Sequence, residues 1–261
     1  MRQGTGPARV ILPAIVFVVI VGAWEAIVRL KQVPPYILPS PILILQTLVQ
    51  DWPVLFDSLL TTLRTTLEGF VAAAAGGMAL ALLFSRSKWI ETAFFPYAVV
   101  LQVTPVIAIA PLLLIYLPQH LAVVACAFIV AFFPVLSNTL LGLKSVDRNL
   151  AGLFTLYGAS RGQTLRYLKL PSALPYLLGG LRIAGGLSLI GAVVAEIAAG
   201  SAGAGSGLAY RIAESSYRLN IPRMFAALLL LCVAGIVIHI TLSLASDLVL
   251  RRWHESALGR E

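Results

Sequence analysis

Long apolar runs, separated by short breaks rich in polar residues, glycine or proline, dominate the chain. They read from about Arg9 to Leu30, Ser58 to Phe84, Thr92 to Tyr116, Leu121 to Leu141, Tyr176 to Ala199 and Met224 to Leu250. Each is long enough, at roughly 20 residues or more, to cross ~30 Å of hydrocarbon as a helix. The runs are continuous and do not alternate with period two, so the pattern predicts spanning helices and not barrel strands. The expected fold is an all-α integral membrane protein with about six transmembrane helices, forming a single transmembrane domain over residues 1–261.

The breaks carry their own signals. "KQVPPYILPSP" holds Pro34, Pro35, Pro39 and Pro41, which helix interiors reject. It predicts a connector outside the cytoplasm, followed by a short helix over about Ile42–Gln50. The third run contains Pro96, Pro105 and Pro111, and the fourth contains Pro134. Membrane helices tolerate proline where neighbours or water satisfy the freed carbonyls, so the third span is expected to be interrupted at its prolines. Ala73, Gly77 and Ala81 recur every four residues, and Gly180 and Ala184 repeat that spacing. Such small faces allow close helix contact and are expected here to meet a second copy of the chain. "GSAGAGSG" after the fifth run lacks a complete dinucleotide-binding fingerprint; it reads as a flexible gate or a loop facing a receptor.

Composition agrees with the pattern. Only 11% of the 261 residues are charged, against about a quarter in soluble domains, and the mean hydropathy is +0.92. The net charge of +8 is read as membrane topology, not nucleic-acid affinity, because Lys and Arg concentrate in cytoplasmic loops. Arg2 and Arg9 precede the first run without a small-residue cleavage site after it, so that run is expected to be an uncleaved helix entering from the cytoplasm. Six spans then put both termini inside. Arg2, Arg9, Arg86, Lys88, Lys144, Arg148, Arg161, Arg166, Lys169, Arg251, Arg252 and Arg260 fall on the inner segments. Only Arg29, Lys31, Arg64, Arg211, Arg218 and Arg223 fall on the outer ones. Cys126 and Cys232 lie far apart inside apolar runs and read as small buried hydrophobes.

This topology makes residues 144–175 the longest cytoplasmic loop. Leu150, Leu153, Phe154 and Tyr157 form the stripe of a short amphipathic helix. Gly158 follows where a helix C-cap needs φ > 0. Ser160 and Gln163 spell a capping box for a second helix, with Leu165 and Leu168 on its apolar side; Pro171 is expected to stop it and Pro175 to open the fifth span. Two destinations fit an exposed apolar ridge with basic flanks: an anionic lipid surface or a groove on a cytoplasmic partner.

The loop resembles the "EAA" loop in permease subunits of binding-protein-dependent ABC importers. The match lies on Gly158, Ala159 and Ser160, then Leu168, Leu170 and Pro171. "YILPSP", "LQVTPVIAIAPLLLIY" and "VVAEIAAGSAGAGSGLAY" extend the resemblance over nearly the whole chain, and it is nearest to the branch serving nitrate, sulfonate, taurine, bicarbonate and pyrimidine- or riboflavin-related solutes. "YRLNIPRMFAALLL" leans towards members for heterocyclic precursors. The motif's Glu-Ala-Ala is replaced by Gly152, Leu153 and Phe154, so an acidic contact there is not carried over.

The resemblance implies a type I importer permease fold in the bacterial inner membrane, with core transport helices over about 58–250. It implies two cytosolic ATPase subunits that carry ATP and Mg, a second permease copy, surrounding membrane lipid, and a periplasmic or lipid-anchored binding protein. It assigns ATPase coupling to Leu150, Leu153, Phe154, Tyr157, Gly158, Ala159, Ser160, Arg161, Leu168 and Pro171. The chain itself has no G-x-x-x-x-G-K-[ST] phosphate loop, so no cofactor, metal or catalytic residue is expected in it.

Polar residues within the spans are the candidates for the translocation pathway: Gln102, Thr104, Asn138, Ser188 and Glu196. Glu196 also reads as a structural ion pair or a helix-end residue. His239 reads as a packing residue, His120 and His254 as isolated, and Glu25 with Arg29 as a surface pair. An ion-coupled secondary carrier would show an internal repeat with paired acidic residues, and a membrane enzyme would show clustered His, Asp or Cys. The sequence has neither.

Overall fold

The computed structural model describes residues 8–200 and 205–251. Arg2, Arg252, His254, Arg260 and residues 201–204 of the glycine-rich loop lie outside the described residues, as does the side chain of Arg9. The described elements are all helical: α1 (Ala8–Leu30), α2 (Pro41–Gln50), α3 (Trp52–Arg86), α4 (Lys88–Val103), α5 (Val106–Tyr116), α6 (Gln119–Lys144), α7 (Arg148–Leu156), α8 (Arg161–Thr164), a π-helical turn (Leu165–Lys169), α9 (Leu170–Ala199), α10 (Leu208–Tyr217) and α11 (Ile221–Leu250). Among the described residues, five helical stretches are long and apolar enough to span a membrane; α4 and α5 together make a sixth, bent by 97°.

That bend falls at Thr104–Pro105. Thr104 is extended (φ −71°, ψ 123°), the conformation proline imposes on the residue before it. Pro96 and Pro111 lie within intact helices, so only Pro105 interrupts this span. The expected breaks near Pro171 and Pro175 are absent too. The helix starting at Arg161 runs on to Ala199, and Pro171 lies two residues past the end of the π turn. A proline ring clashes with the carbonyl four residues back, and the wider π turn provides the room.

The bundle is built around α6, which packs most extensively against α9 and α3. α3 turns one stripe inward, from Leu55 through Thr62, Gly69, Ala73, Gly77 and Ala81 to Phe84. A Cβ added at Gly77 would lie 2.9 Å from that of Val135 on α6, and one at Gly180 would lie 2.9 Å from that of Asn138. Ala73, Ala81 and Ala184 are fully buried. These small-residue faces therefore serve contacts within the chain, and the expectation that they meet a second copy is overturned. The reason is physical: α6 carries bulky Val135, Leu136 and Phe132, and only a small facing residue lets the backbones approach.

Several charges within or beside the spans are paired. Arg182 on α9 reaches Asp247 on α11 at 2.7 Å, and Arg223 holds Asp51 through two bonds of 2.6 and 2.8 Å. Glu68 accepts from Arg64 at 2.9 Å and meets His120 at 2.7 Å, so His120 is not isolated. Glu25 pairs with Arg29 and also accepts the Ile42 N–H at the start of α2, which makes it more than a surface pair. His239 is exposed, not packed, and of the two cysteines only Cys126 is buried.

Candidate functional site

Two local constructions carry the candidate residues. The first is the α7–α8 elbow. Asp147 caps α7 by accepting from Asn149 and Leu150. At the other end Gly158 has φ +68°, its N–H bonds Thr155 and the Ala159 N–H bonds Phe154. This paired pattern is a Schellman stop, which favours glycine at the left-handed position. Ser160 then begins α8 with both arms of a capping box: its hydroxyl accepts from the Gln163 N–H at 3.2 Å, and its own N–H donates to Gln163 Oε1 at 2.7 Å. The chain thus turns sharply over Tyr157–Ser160 with its backbone groups satisfied.

α7 buries nothing of its own. Leu150 and Leu153 are about half exposed and Tyr157 is 80% exposed, while Phe154 is half-buried. Leu156, absent from the expected ridge, is 82% exposed. It lies off the i, i+3, i+4 spacing, which is why periodicity alone passed it over. Arg161 is exposed at the first position of α8, and Leu168 is buried within the π turn, joining the elbow to the bundle. Pro171 belongs to α9 and lies beyond the elbow.

The second construction surrounds Glu196 in the last turn of α9. Glu196 is 4% exposed. Its Oε2 accepts from the Thr62 hydroxyl at 3.0 Å and from the Ala209 N–H at 3.1 Å. The Thr62 hydroxyl in turn accepts from the Leu208 N–H at 2.9 Å. Leu208 and Ala209 open α10, and the first N–H groups of a helix have no partner within it. Carboxylate and hydroxyl oxygens satisfy them, and a negative charge suits that helix end. Gly207 is required beside them, because a Cβ would fall on the Glu196 carboxylate. Arg211 adds a bond from α10 to Ser58 on α3 at 3.1 Å. No cation pairs with Glu196 among the described residues, so it is a helix-capping staple between α3, α9 and α10 and not half of an ion pair.

The other pathway candidates lie apart. Ser188 is buried and donates to the Thr66 carbonyl on α3 at 2.8 Å. Asn138 is half-buried and donates to the Pro134 carbonyl at 2.8 Å. Gln102 is exposed and Thr104 half-buried at the α4–α5 break, with the Thr104 hydroxyl bonded to the Val100 carbonyl. The sequence reading missed α10, Thr62 and the Arg182–Asp247 bridge. The charges inside apolar runs were the available signal for the last of these, since each needs a partner at membrane depth.

A bundle of apolar spanning helices with one sharply broken span and a capped, exposed elbow defines the class: a multi-pass helical membrane protein. The model of the family "Binding-protein-dependent transport system inner membrane component" matches residues 71–254. Similar curated proteins include the riboflavin transport system permease protein RibX of Chloroflexus aurantiacus, 34% identical over 89% of this chain and 86% of its own. The formylaminopyrimidine transport permease protein ThiX of Halalkalibacterium halodurans is also 34% identical, over 86% of this chain and 89% of its own. The putative aliphatic sulfonates transport permease protein SsuC of Bacillus subtilis is 29% identical, over 86% and 80%. Among solved structures, the crystal structure of an amino acid ABC transporter with histidines covers 79% of this chain and 97% of its own, with a TM-score of 0.62 at 22% identity; this likeness concerns the fold. The chain belongs to the binding-protein-dependent transport family, as the permease subunit of a type I ABC importer in the nitrate and sulfonate branch. It is a multi-pass inner-membrane transport subunit and not itself an enzyme, and the ion-coupled carrier is set aside.

Proposed function

We propose that two copies of this chain form the pathway of an importer for a small heterocyclic vitamin or vitamin precursor. A binding protein outside delivers the solute, and two cytosolic ATPases, carrying ATP and Mg, drive alternating access through the elbow. The observation that carries the coupling role is α7, an amphipathic helix capped at both ends whose apolar ridge is left uncovered. Water is a poor neighbour for Leu150, Leu153 and Leu156, and a groove on an ATPase is the natural cover. Both termini and the elbow lie on the cytoplasmic side in this reading. The coupling set is Leu150, Leu153, Phe154, Tyr157, Gly158, Ala159, Ser160 and Arg161, with Leu168 and Pro171 joining it to α9.

A second copy is supported by the α4–α5 break. Broken backbone at membrane depth is tolerated where it lines water or meets protein, and Gln102 and Thr104 occupy such a break at the bundle's surface. They are the leading pathway residues, with Asn138, Ser188 and Glu196 shaping the helices around them. The substrate class follows the greater identity to the riboflavin and formylaminopyrimidine permeases than to the sulfonate one.

The test is uptake into proteoliposomes containing the permease, its ATPase and the cognate binding protein. ATP-dependent uptake of riboflavin or formylaminopyrimidine, competed poorly by nitrate or an alkanesulfonate, is expected. Uptake of the anions alone would overturn the substrate class, and uptake indifferent to ATP would overturn the coupling reading.

A further inference from the structure

Two adjoining clefts open at the end of the bundle that bears the elbow. The larger, of about 640 Å³, lies between the end of α3 and α7–α8; the smaller, of about 340 Å³, lies between the α3–α4 turn and the end of α6. Ser85 and Lys169 line both. Arg86 and Arg161 line the first, and Lys88 and Lys144 the second. The one carboxylate in either, Glu91, is engaged by Lys144. Among the described residues no ion pair engages Arg86, Lys88, Arg161 or Lys169. Like charges converging in this way repel, and an anion between them relieves the cost.

We infer that these clefts hold the phosphate of an anionic phospholipid, wedged between the end of α3 and the start of α8. The cleft hydroxyls leave the binding to the cations, since Ser85, Thr155 and Thr164 already donate to carbonyls of their own helices. Guanidinium and ammonium groups suit a phosphate. Two features favour a lipid over a free ion. The smaller cleft is lined by Phe84 and Leu143, the last buried apolar side chains of α3 and α6, so it begins where the buried apolar core of the bundle ends. Trp89, 88% exposed, follows the lining residue Lys88, and Tyr167, 63% exposed, lies two residues before the lining residue Lys169; such aromatics seat at the headgroup level. A basic pocket between spanning helices at that depth is a known form of headgroup site. Because α8 continues into α9 without a break, a headgroup held there braces the elbow against α3.

The assembled complex with its ATPases would be placed in nanodiscs of phosphatidylcholine, with or without phosphatidylglycerol, and retained lipid counted by native mass spectrometry. The wild type is expected to retain phosphatidylglycerol. Arg86→Gln with Lys88→Gln, outside the elbow, should reduce that retention by about tenfold and leave ATPase co-purification unchanged. Lys169→Gln, lining both clefts, should lower retention independently. Lys31→Gln with Arg218→Gln, removing equal charge elsewhere, should not. Retention equal to wild type in both cleft variants overturns the site. Inorganic phosphate displacing the lipid at equal concentration would make it a free-anion site, and loss of the ATPase from the Arg86/Lys88 variant in phosphatidylcholine would make it a protein interface. Either outcome rejects the lipid, and neither bears on the solute carried.

Discussion

The Thr62 hydroxyl donates to Glu196 at 3.0 Å while accepting the Leu208 N–H at 2.9 Å. One hydroxyl on α3 therefore joins the end of α9 to the start of α10, across more than a hundred residues of sequence. The arrangement uses both faces of the hydroxyl, and it places α10 by its backbone and not by side-chain packing alone.

Glu196 acts here as an acceptor for an N–H and an O–H, and an amide oxygen can accept both. Glu196→Gln is therefore expected to keep most of the stability of the complex. Glu196→Ala leaves the Ala209 N–H and the Thr62 hydroxyl without their shared acceptor, at a cost of roughly 1–3 kcal/mol per buried group. Thermal melting of the purified complex separates the two. If Gln falls as far as Ala, the charge itself is needed and Glu196 returns to the transport step, which uptake kinetics of the same variants would reveal.

The glycines of α9 offer a paired test of packing. A Cβ at Gly191 would lie 2.6 Å from the Cys126 carbonyl oxygen on α6, whereas one at Gly179 meets nothing within 4 Å. Gly191→Ala must push two backbones apart and should destabilise by about 1–3 kcal/mol. Gly179→Ala should be neutral or stabilise by about 0.5–1 kcal/mol, through the smaller loss of chain freedom in a helix. Equal melting points for the two variants would show that α6 and α9 do not approach as closely as described.

The spanning helices were legible because burial in lipid demands long apolar runs, and the elbow was legible because caps are local. Gly158, Ser160 and Gln163 act on neighbours within five residues, so spacing alone located the turn. What spacing could not supply was long-range. Thr62 looked like one hydroxyl among several in "TTLRTTL", and only the fold brings it to Glu196. Pro171 misled for a related reason: a proline reads as a helix stop unless a π turn precedes it, and that turn has no local signature in "LRYLK". The small-residue stripes correctly marked close helix contact, but a stripe does not say whether its partner is α6 or another copy.

The sharpest consequence concerns the elbow. Its shape depends on Gly158 at φ +68°, where a side chain costs about 1–2 kcal/mol and a β-branched one is least tolerated. Gly158→Val should therefore undo the Schellman stop, re-aim α7 relative to α8, and leave the spanning bundle intact, since nothing in the bundle packs on this residue. The expected result is normal insertion and yield, several-fold weaker co-purification of the ATPase, and loss of uptake. Truncating exposed ridge residues probes the same contact without touching the turn. Burial of each leucine is worth roughly 1.5–3 kcal/mol, so Leu153→Ala or Leu156→Ala should weaken ATPase association about tenfold or more, while Phe154→Ala, half-buried against its own chain, also lowers stability. Arg166→Ala should matter least, because its guanidinium lies over the neighbouring Tyr167 ring. Quantitative co-purification from membranes, beside uptake, checks the series. Should Gly158→Val and Leu153→Ala both retain wild-type ATPase and transport, α7 does not carry the coupling, and its ridge would have to be covered by lipid instead.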